Sequence, residues 1–397
     1  LVRRECIDNV LRITKLVIEV GDRDDPCRQA DRLATELCRI ATSIEHFMVL
    51  QQDIERQRRK AQLASDFGAI LAMQFSPAAS AEPQFKLRAS VDTSSTHGRT
   101  LAVGDYLKKL QEKSGGRIET ELFHSGQLFR DRDVVKALRQ GGVEMAVPGT
   151  WVLTAFVPDA DVFQLPAFFG QPYPVVYAAA DGKIGEIINK QFESKLDVKL
   201  LGPWLQLGYQ NTYGTRKPIR DFSDLAGMKI RNSGGAGQSA RAKFFDASPN
   251  VTAWPDVPLA LSQGTFDGLS STDESLASAK LWESGVRYGF EDHEFVGFYV
   301  PMISGSFFNK LPPDLQALVV NLWRENIAAY RKSMEDAQTE ARHTLEKNGV
   351  VFVTPSESAL AEVRAKMLPS QDSLAKELRI SPALLQQVQS DMKTGKH

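Results

Sequence analysis

Cysteine is nearly absent from this 397-residue chain: there are three, Cys6, Cys27 and Cys38, all in the first tenth of it. Their spacing fits neither a CxxC redox pair nor a zinc site, and a long body without cysteine suits an oxidising compartment. An excess of charge of either sign is lacking too. With 48 Lys and Arg against 49 Asp and Glu the net charge is −1, which gives no bulk attraction to nucleic acid or anionic lipid. A charged ligand must then be held by a local site. No stretch reaches the roughly 20 apolar residues that a membrane-spanning helix needs. The six histidines offer no i, i+4 pair. Neither an HExxH zinc motif nor a GxSxG nucleophile elbow is present; His293-Glu294 begins like the former, but Gly297 stands where its second histidine belongs. The sequence thus offers no metal site and no catalytic residue of a hydrolase.

What is present reads as an ordinary globular protein, 42% hydrophobic and 24% charged, long enough for two or three domains. Within residues 27–60, Leu33, Leu37, Ile40, Ile44, Phe47 and Ile54 keep helical spacing apart from a gap at Gln51, one amphipathic stripe. Residues 1–60 are read as a helical extension of unknown role. Residues 61–81 resemble an export signal or linker. The basic run Arg56, Arg58, Arg59 and Lys60 precedes an apolar run from Phe67 to Phe75, with Asp66 at its edge, and Ala79-Ser80-Ala81 supplies a small-residue cleavage site before Glu82-Pro83.

From Phe85 strand and helix patterns alternate. Phe85 to Val91 alternates apolar and polar, and Thr93-Ser-Ser-Thr96 offers N-caps for a helix carrying Val103, Leu107 and Leu110. Ile118–Phe123, Val143–Val147, Val198–Leu201 and Met228–Arg231 read as further strands, with a helix over Asp131–Arg139. Such alternation predicts a parallel sheet with helices on both faces. Leu315 to Leu345 marks one very long helix, opened by Pro312-Pro313 and closed by Asn348-Gly349, before a last strand over 350–354.

Two features compete for the ligand. Gly235-Ala-Gly237-Gln-Ser-Ala240 has the form G-x-G-x-x-A, with Asp256 about twenty residues on, as a dinucleotide fold wants. It follows several strand–helix units instead of opening them, so its glycines fit better as a loop of close ligand approach before a helix N-terminus that receives an anion. Arg231 ends the preceding strand. Ligands of open α/β sheets bind outside the carboxyl ends of strands, and a guanidinium offers a planar fork to a carboxylate.

Four segments in order carry a family resemblance: Ser114-Gly-Gly-Arg-Ile118 with Gly126-Gln-Leu128; Leu138 to Ala146 followed by Val157-Pro158 and Val162 to Phe169; Asp224-Leu-Ala-Gly-Met-Lys-Ile-Arg231; and Leu261-Ser-Gln-Gly-Thr-Phe-Asp-Gly268. They resemble the DctP-type solute-binding proteins of tripartite ATP-independent periplasmic (TRAP) transporters. The resemblance implies an α/β fold, a two-domain periplasmic-binding-protein-like clamshell with a long C-terminal spine helix. It divides the body into lobe I over 82–210, lobe II over 211–300, and a return to lobe I with spine and terminal helices over 301–397. It further implies a periplasmic, non-enzymatic monomer without a cofactor. Such a protein captures a small organic carboxylate (a hydroxy or keto acid, a sugar acid or a C4-dicarboxylate) and delivers it to a small and a large membrane subunit. Arg231 falls on the residue that pairs with the substrate carboxylate, in a solvent-filled cleft, and Trp254 falls near the aromatic wall, with Trp151 facing the same cleft.

The chain departs from the family where Ser271 replaces an asparagine and where Asn211 replaces a second arginine, which argues against a strict dicarboxylate or sialic-acid-like ligand. Ser94, Ser95 and His97, after the first strand, and Asp273, in the Leu269–Asp273 run that replaces the family's motif, complete the candidate binding residues. The alternatives are a nucleotide-dependent oxidoreductase built on Gly235–Ala240 and a ligand-sensing module coupled to the N-terminal helix. N-terminal sequencing of protein exported from a bacterial host is expected to start at or near Glu82; an active exported protein that still carries residues 1–60 would contradict that reading.

Overall fold

The computed structural model describes residues 55–56 and 83–394, and the chain divides into two units, Leu1–Ala79 and Ser80–His397. Apart from Glu55 and Arg56, which are helical, the N-terminal extension, the cysteines and the candidate signal segment lie outside the described residues.

In the second unit the strands are β1 (Phe85–Ser90), β2 (Ile118–Phe123), β3 (Met145–Ala146), β4 (Val198–Leu200), β5 (Leu205–Gly214) and β6 (Lys229–Asn232), then β7 (Ser248–Val251), β8 (Gly268–Ser271), β9 (Tyr288–Tyr299), β10 (Met302–Ser304) and β11 (Val351–Val353). They form two sheets, ordered β2-β1-β3-β10-β4 and β11-β9-β5-β8-β6-β7. Each sheet is the centre of one lobe. The expected parallel pairing holds for β1 with β2 and β3, and for β6 with β7 and β8. It fails where the chain passes between lobes: β10 runs antiparallel to β3 and β4, and β5 runs antiparallel to β8 and β9. A strand arriving from the other lobe enters from the opposite end of the sheet, so both sheets are mixed.

The helices that position the cleft are α1 (Gly98–Lys113), α2 (Asp131–Arg139), α3 (Ala236–Phe244), α4 (Asp273–Ser278) and α5 (Pro313–Lys347). α1 is capped by a residue other than those the sequence suggests. The N-cap is His97, whose Nδ1 accepts from the Arg99 N–H at 3.0 Å, while Ser94 Oγ and Thr96 Oγ1 bond each other at the surface. α5 is the long spine. Pro313 occupies its first turn, where the missing N–H costs nothing, and Gly349 takes φ +83° just past its end. Its buried stripe serves both lobes: Leu315, Leu322, Trp323 and Tyr330 enter the core around β1 and α1, whereas Leu345 enters the core around Tyr213 and Leu269.

β5 and β9 carry the chain across. Trp204, at the start of β5, and Phe298 of β9 sit in the first lobe's core, while Tyr213 and Phe290, further along the same two strands, sit in cores of the second. Between these ends the ladder slips at Gln206/Gly208 and again at Gln210/Thr212. Such bulges bend a strand and increase its twist. At the first slip Gly208 adopts φ +112°, and a β-carbon there would stand 2.6 Å from Nε2 of Gln338 on the spine. Gln338 in turn accepts from the Glu274 N–H and donates to the Leu207 carbonyl, tying spine, α4 and β5 together at the crossover. Gly208→Ala is expected to destabilise the protein by about 1–3 kcal/mol, the usual cost of a side chain held at such a φ. A urea midpoint unchanged from wild type would show that the crossover bulge is not a constraint.

Candidate functional site

A pocket lies where the two lobes meet over the crossing strands, and domain interfaces are a preferred place for small-molecule sites. Leu207 and Gln210 of β5 and Tyr299 at the end of β9 form its floor. Lobe I contributes Asp92 and Thr93 after β1, Arg130 to Arg132 at the start of α2, and Trp151 with Val152. Lobe II contributes Arg231 and Ser233 at the end of β6, Ala253 with Trp254, Ser271 at the end of β8, and Ser275 on α4. Side chains from the carboxyl ends of β1, β6 and β8 thus converge, as the geometry of open α/β sheets favours.

Arg231 is the central group of the second lobe's wall. It is buried, 1% exposed, whereas the sequence places it in solvent. Its Nε and Nη2 both donate to the Thr252 carbonyl, at 3.0 and 2.7 Å, and the guanidinium lies 5.4 Å from the Trp254 ring centroid. One side of the fork is therefore fixed. The other nitrogen, Nη1, is buried without a hydrogen-bond partner. Burial pushes the guanidinium down to about 9, with Asp92 opposing that shift and Arg132 adding to it. A buried cation with an open donor edge is a site short of one anion.

Arg99 is the opposite case. Fully buried, it gives Nη1 to Asp131 at 2.9 Å and to the Val147 carbonyl at 3.1 Å, Nη2 to Asp92, and Nε to Thr93 Oγ1 at 3.2 Å. Its guanidinium sits 4.1 Å from the Tyr299 ring centroid. All its donor groups are engaged within the protein, and it holds two carboxyl groups in the pocket wall. Burial pushes Asp131 up to about 7, against the pull of Arg99 and with the help of Asp92.

The sequence-predicted residues divide. Arg231, Trp254, Trp151 and Ser271 come together in the pocket. The others lie off its wall. Ser94 is half-buried and Ser95 exposed at the start of the α1 loop. His97 is buried, with Nε2 at 3.1 Å from Ser275 Oγ and 2.9 Å from Glu274 Oε2, a contact between the lobes behind the pocket. The Asn211 side chain accepts from the His293 N–H at 3.1 Å and supports the second bulge, because Gln210, its neighbour, takes the pocket face of β5. Asp273 accepts from Tyr213 Oη at 2.9 Å inside lobe II, and burial raises it to about 7. The sequence does not mark Asp92, Arg99, Asp131, Arg132, Gln210, Ser275 or Tyr299 as parts of the site. Asp92 satisfies the same strand-end rule that points to Arg231; the other six carry no local signal.

The glycine motif also finds a different use. Asp161 of lobe I places its carboxylate on the N-terminus of α3, accepting from the Gly237 N–H at 3.2 Å. A β-carbon at Gly237 would stand 2.5 Å from Cβ of Gln164. The glycines let two lobes pack, and the anion at this helix N-terminus is the protein's own, where a dinucleotide fold would receive a pyrophosphate. At the outer rim Arg130 and Asp256 form a two-pronged ion pair between the lobes, at 2.7 and 3.1 Å. Both are about half exposed, so the pair is worth about 0–1 kcal/mol.

Two α/β lobes joined by crossing strands, backed by one spine helix and closed over a polar pocket, define a clamshell solute-binding protein. The chain belongs to the bacterial extracellular solute-binding proteins, family 7 (DctP), whose model matches residues 89–377. Among characterised relatives, the 2,3-diketo-L-gulonate-binding periplasmic protein YiaO of Escherichia coli is 25% identical over 68% of this chain and 80% of its own. The C4-dicarboxylate-binding protein DctB of Bacillus subtilis is 24% identical over 64% and 71%. Solved folds match at 20–24% identity. The sugar acid binding protein DctPAm of Advenella mimigardefordensis, in complex with galactonate, has a TM-score of 0.72 over 79% of this chain and 99% of its own at 20% identity. A TRAP solute-binding protein of Sulfurospirillum deleyianum, with bound succinate, has 0.70 over 77% and 99% at 24%. The protein is a bacterial extracellular solute-binding protein of that family. No helix among the described residues is long and apolar enough to cross a membrane.

Asp273 provides a pH test of the site's surroundings. Its carboxyl is raised from 3.8 to about 7 in the folded protein, so between those values the folded chain holds a proton that the unfolded chain has released. Stability from this group is full below about pH 4 and falls as pH rises, by at most about 1.4 kcal/mol per unit, levelling off above about 7. Asp273→Asn removes that loss. Urea unfolding at pH 5 and 7.5 is expected to show a smaller decline for the variant than for wild type; equal declines would contradict the assignment.

Proposed function

We propose that Arg231 is the anchor for the carboxylate of the transported acid, and that the protein binds this acid in the closed cleft and releases it unchanged. One observation carries the reading: Arg231 Nη1 is buried in the pocket with no hydrogen-bond partner. With Nε and one Nη2 hydrogen turned to Thr252, the remaining Nη1–Nη2 edge is the end-on fork that receives a carboxylate through two parallel bonds. Gln210 Nε2, buried without a partner on the pocket floor, is a second donor to the same anion. Trp254 and Trp151 offer apolar faces to the ligand's carbon chain. The relatives named above are described with diketogulonate, C4-dicarboxylates, galactonate and succinate, and a carboxylate is what these have in common.

The absence of chemistry is part of the proposal. The pocket's Ser275 does lie beside a histidine and a carboxylate, but the grouping is wired differently from a catalytic triad. In a triad the serine and the acid engage opposite ring nitrogens. Here Ser275 and Glu274 both face Nε2 of His97, and Nδ1 is taken by the Arg99 N–H. Nothing holds the ring as a base. Closure of the lobes around the acid strengthens the ion pair by excluding water, and opening releases it.

Arg231→Ala removes one partner of a buried charge pair, a loss typically of about 2–5 kcal/mol, or roughly thirty- to several-thousand-fold in affinity. Arg231→Lys keeps the charge without the planar fork and is expected to fall between the alanine variant and wild type. Calorimetric titration with the acid that native mass spectrometry finds on the purified protein checks this, with circular dichroism as the folding control. Folded Arg231→Ala protein that binds within threefold of wild type would overturn the assignment.

A further inference from the structure

We propose that Asp92 and Asp131, held together by Arg99 across the pocket from Arg231, accept hydrogen bonds from ligand hydroxyl groups, and so select polyhydroxylated monocarboxylates over dicarboxylates. This rests on Arg231 as the carboxylate anchor and adds the chemistry of the ligand's other end.

The pocket is polar in one direction. On the Arg231 wall and on the floor its unpartnered buried atoms are donors, Arg231 Nη1 and Gln210 Nε2. On the lobe I side the buried charged groups that line the pocket are the acids Asp92 and Asp131, whereas Arg130 and Arg132 on that wall are exposed. Asp92 and Asp131 line the pocket, 8% and 6% exposed, and share a single guanidinium. One positive charge between two carboxyls leaves the cluster acidic or sharing a proton, and the raised value of Asp131 expresses the same crowding. Arg99 uses one oxygen of each carboxyl group, Asp92 Oδ1 and Asp131 Oδ2. Asp131 also hydrogen-bonds Asp92, so near neutral pH the two share a proton, and the lone pairs that this proton and Arg99 leave free are acceptors. What can fill them is a donor.

A second ligand carboxylate is a poor fit. It brings no donor, and it meets two acids whose compensating cation is already fully engaged. Arg132 reaches the same wall, but it is exposed, where water and salt leave an ion pair with little value. An ammonium group is disfavoured by the buried charge of Arg99, which already lies 2.9 Å from Asp131. A hydroxyl donates to a carboxylate at no net charge, and several along a short chain also meet Ser233, Ser271 and Ser275 on the facing wall. A site built to hydrogen-bond hydroxyls rejects analogues that lack them, because its buried polar groups are then left unpaired.

The test is a calorimetric panel on the wild-type protein: C4–C6 aldonates and hexuronates, succinate, butyrate and 4-aminobutyrate. At least one hydroxy acid is expected to bind ten times or more tighter than succinate and butyrate. Asp92→Asn is then expected to weaken that hydroxy acid roughly ten- to a hundredfold, the size of one or two lost hydrogen bonds to a charged group, and to leave butyrate within threefold. That split between ligands separates hydroxyl recognition from general damage to the Arg99 cluster, and the wild-type panel decides the question even if the variant fails to fold. Succinate binding as tightly as every hydroxy acid, or Asp92→Asn weakening butyrate as much as the hydroxy acid, overturns the inference and leaves the carboxylate anchor standing. So does preferred binding of 4-aminobutyrate, which assigns the acidic pair to an ammonium group. Failure of every acid to bind overturns the anchor as well.

Discussion

A guanidinium taken out of water must be compensated, and Arg231 is compensated only on one side. The Thr252 carbonyl fixes its Nε and Nη2, Trp254 lies against it, and Nη1 has nothing. Leaving a buried charged donor unpaired costs more than the roughly 1–3 kcal/mol of a neutral one. A protein keeps such a group when something else completes it. The same fold shows what completion looks like in Arg99, whose donors reach two carboxyls, a hydroxyl and a carbonyl within the chain. The contrast between a satisfied and an unsatisfied buried arginine, on opposite walls of one pocket, gives the site its direction.

The architecture keeps these walls on separate bodies while letting them meet. β5 and β9 run through both lobes, and their ladder is interrupted where they cross. The spine packs Trp323 and Tyr330 into one lobe and Leu345 into the other. Inter-lobe contacts surround the pocket: His97 with Ser275 and Glu274, Asp161 on the N-terminus of α3, and Arg130 with Asp256 at the rim. The first two are buried and the last is half exposed. A rim pair that water can replace cheaply is compatible with a cleft that opens from its mouth.

Much of the fold could be read from the sequence because its signals are local. Pro312-Pro313 and Asn348-Gly349 bracket the spine within a residue or two, and the two-residue alternation after Phe85 marks β1. The antiparallel returns of β10 and β5 were not legible, since pairing direction depends on which lobe a strand comes from. In the site, Arg231 and Trp254 could be read from a strand end and a family motif. Asn211 lies one position from the pocket face: in a strand successive side chains face opposite ways, and Gln210 takes that face. The loop that carries Ser94, Ser95 and His97 reaches the pocket through Asp92 and Thr93. The Asp92–Arg99–Asp131 cluster joins a loop and two helix starts, and no spacing along the chain announces it.

We propose that the open edge of Arg231 exists for a carboxylate. The most direct test is a crystal structure of the protein with a tightly bound acid. A carboxylate oxygen is expected within about 2.7–2.9 Å of Nη1, the length of a charge-assisted hydrogen bond, with the Thr252 contact retained. A bound acid whose carboxylate lies elsewhere in the pocket, with Nη1 still unpaired, would contradict the account.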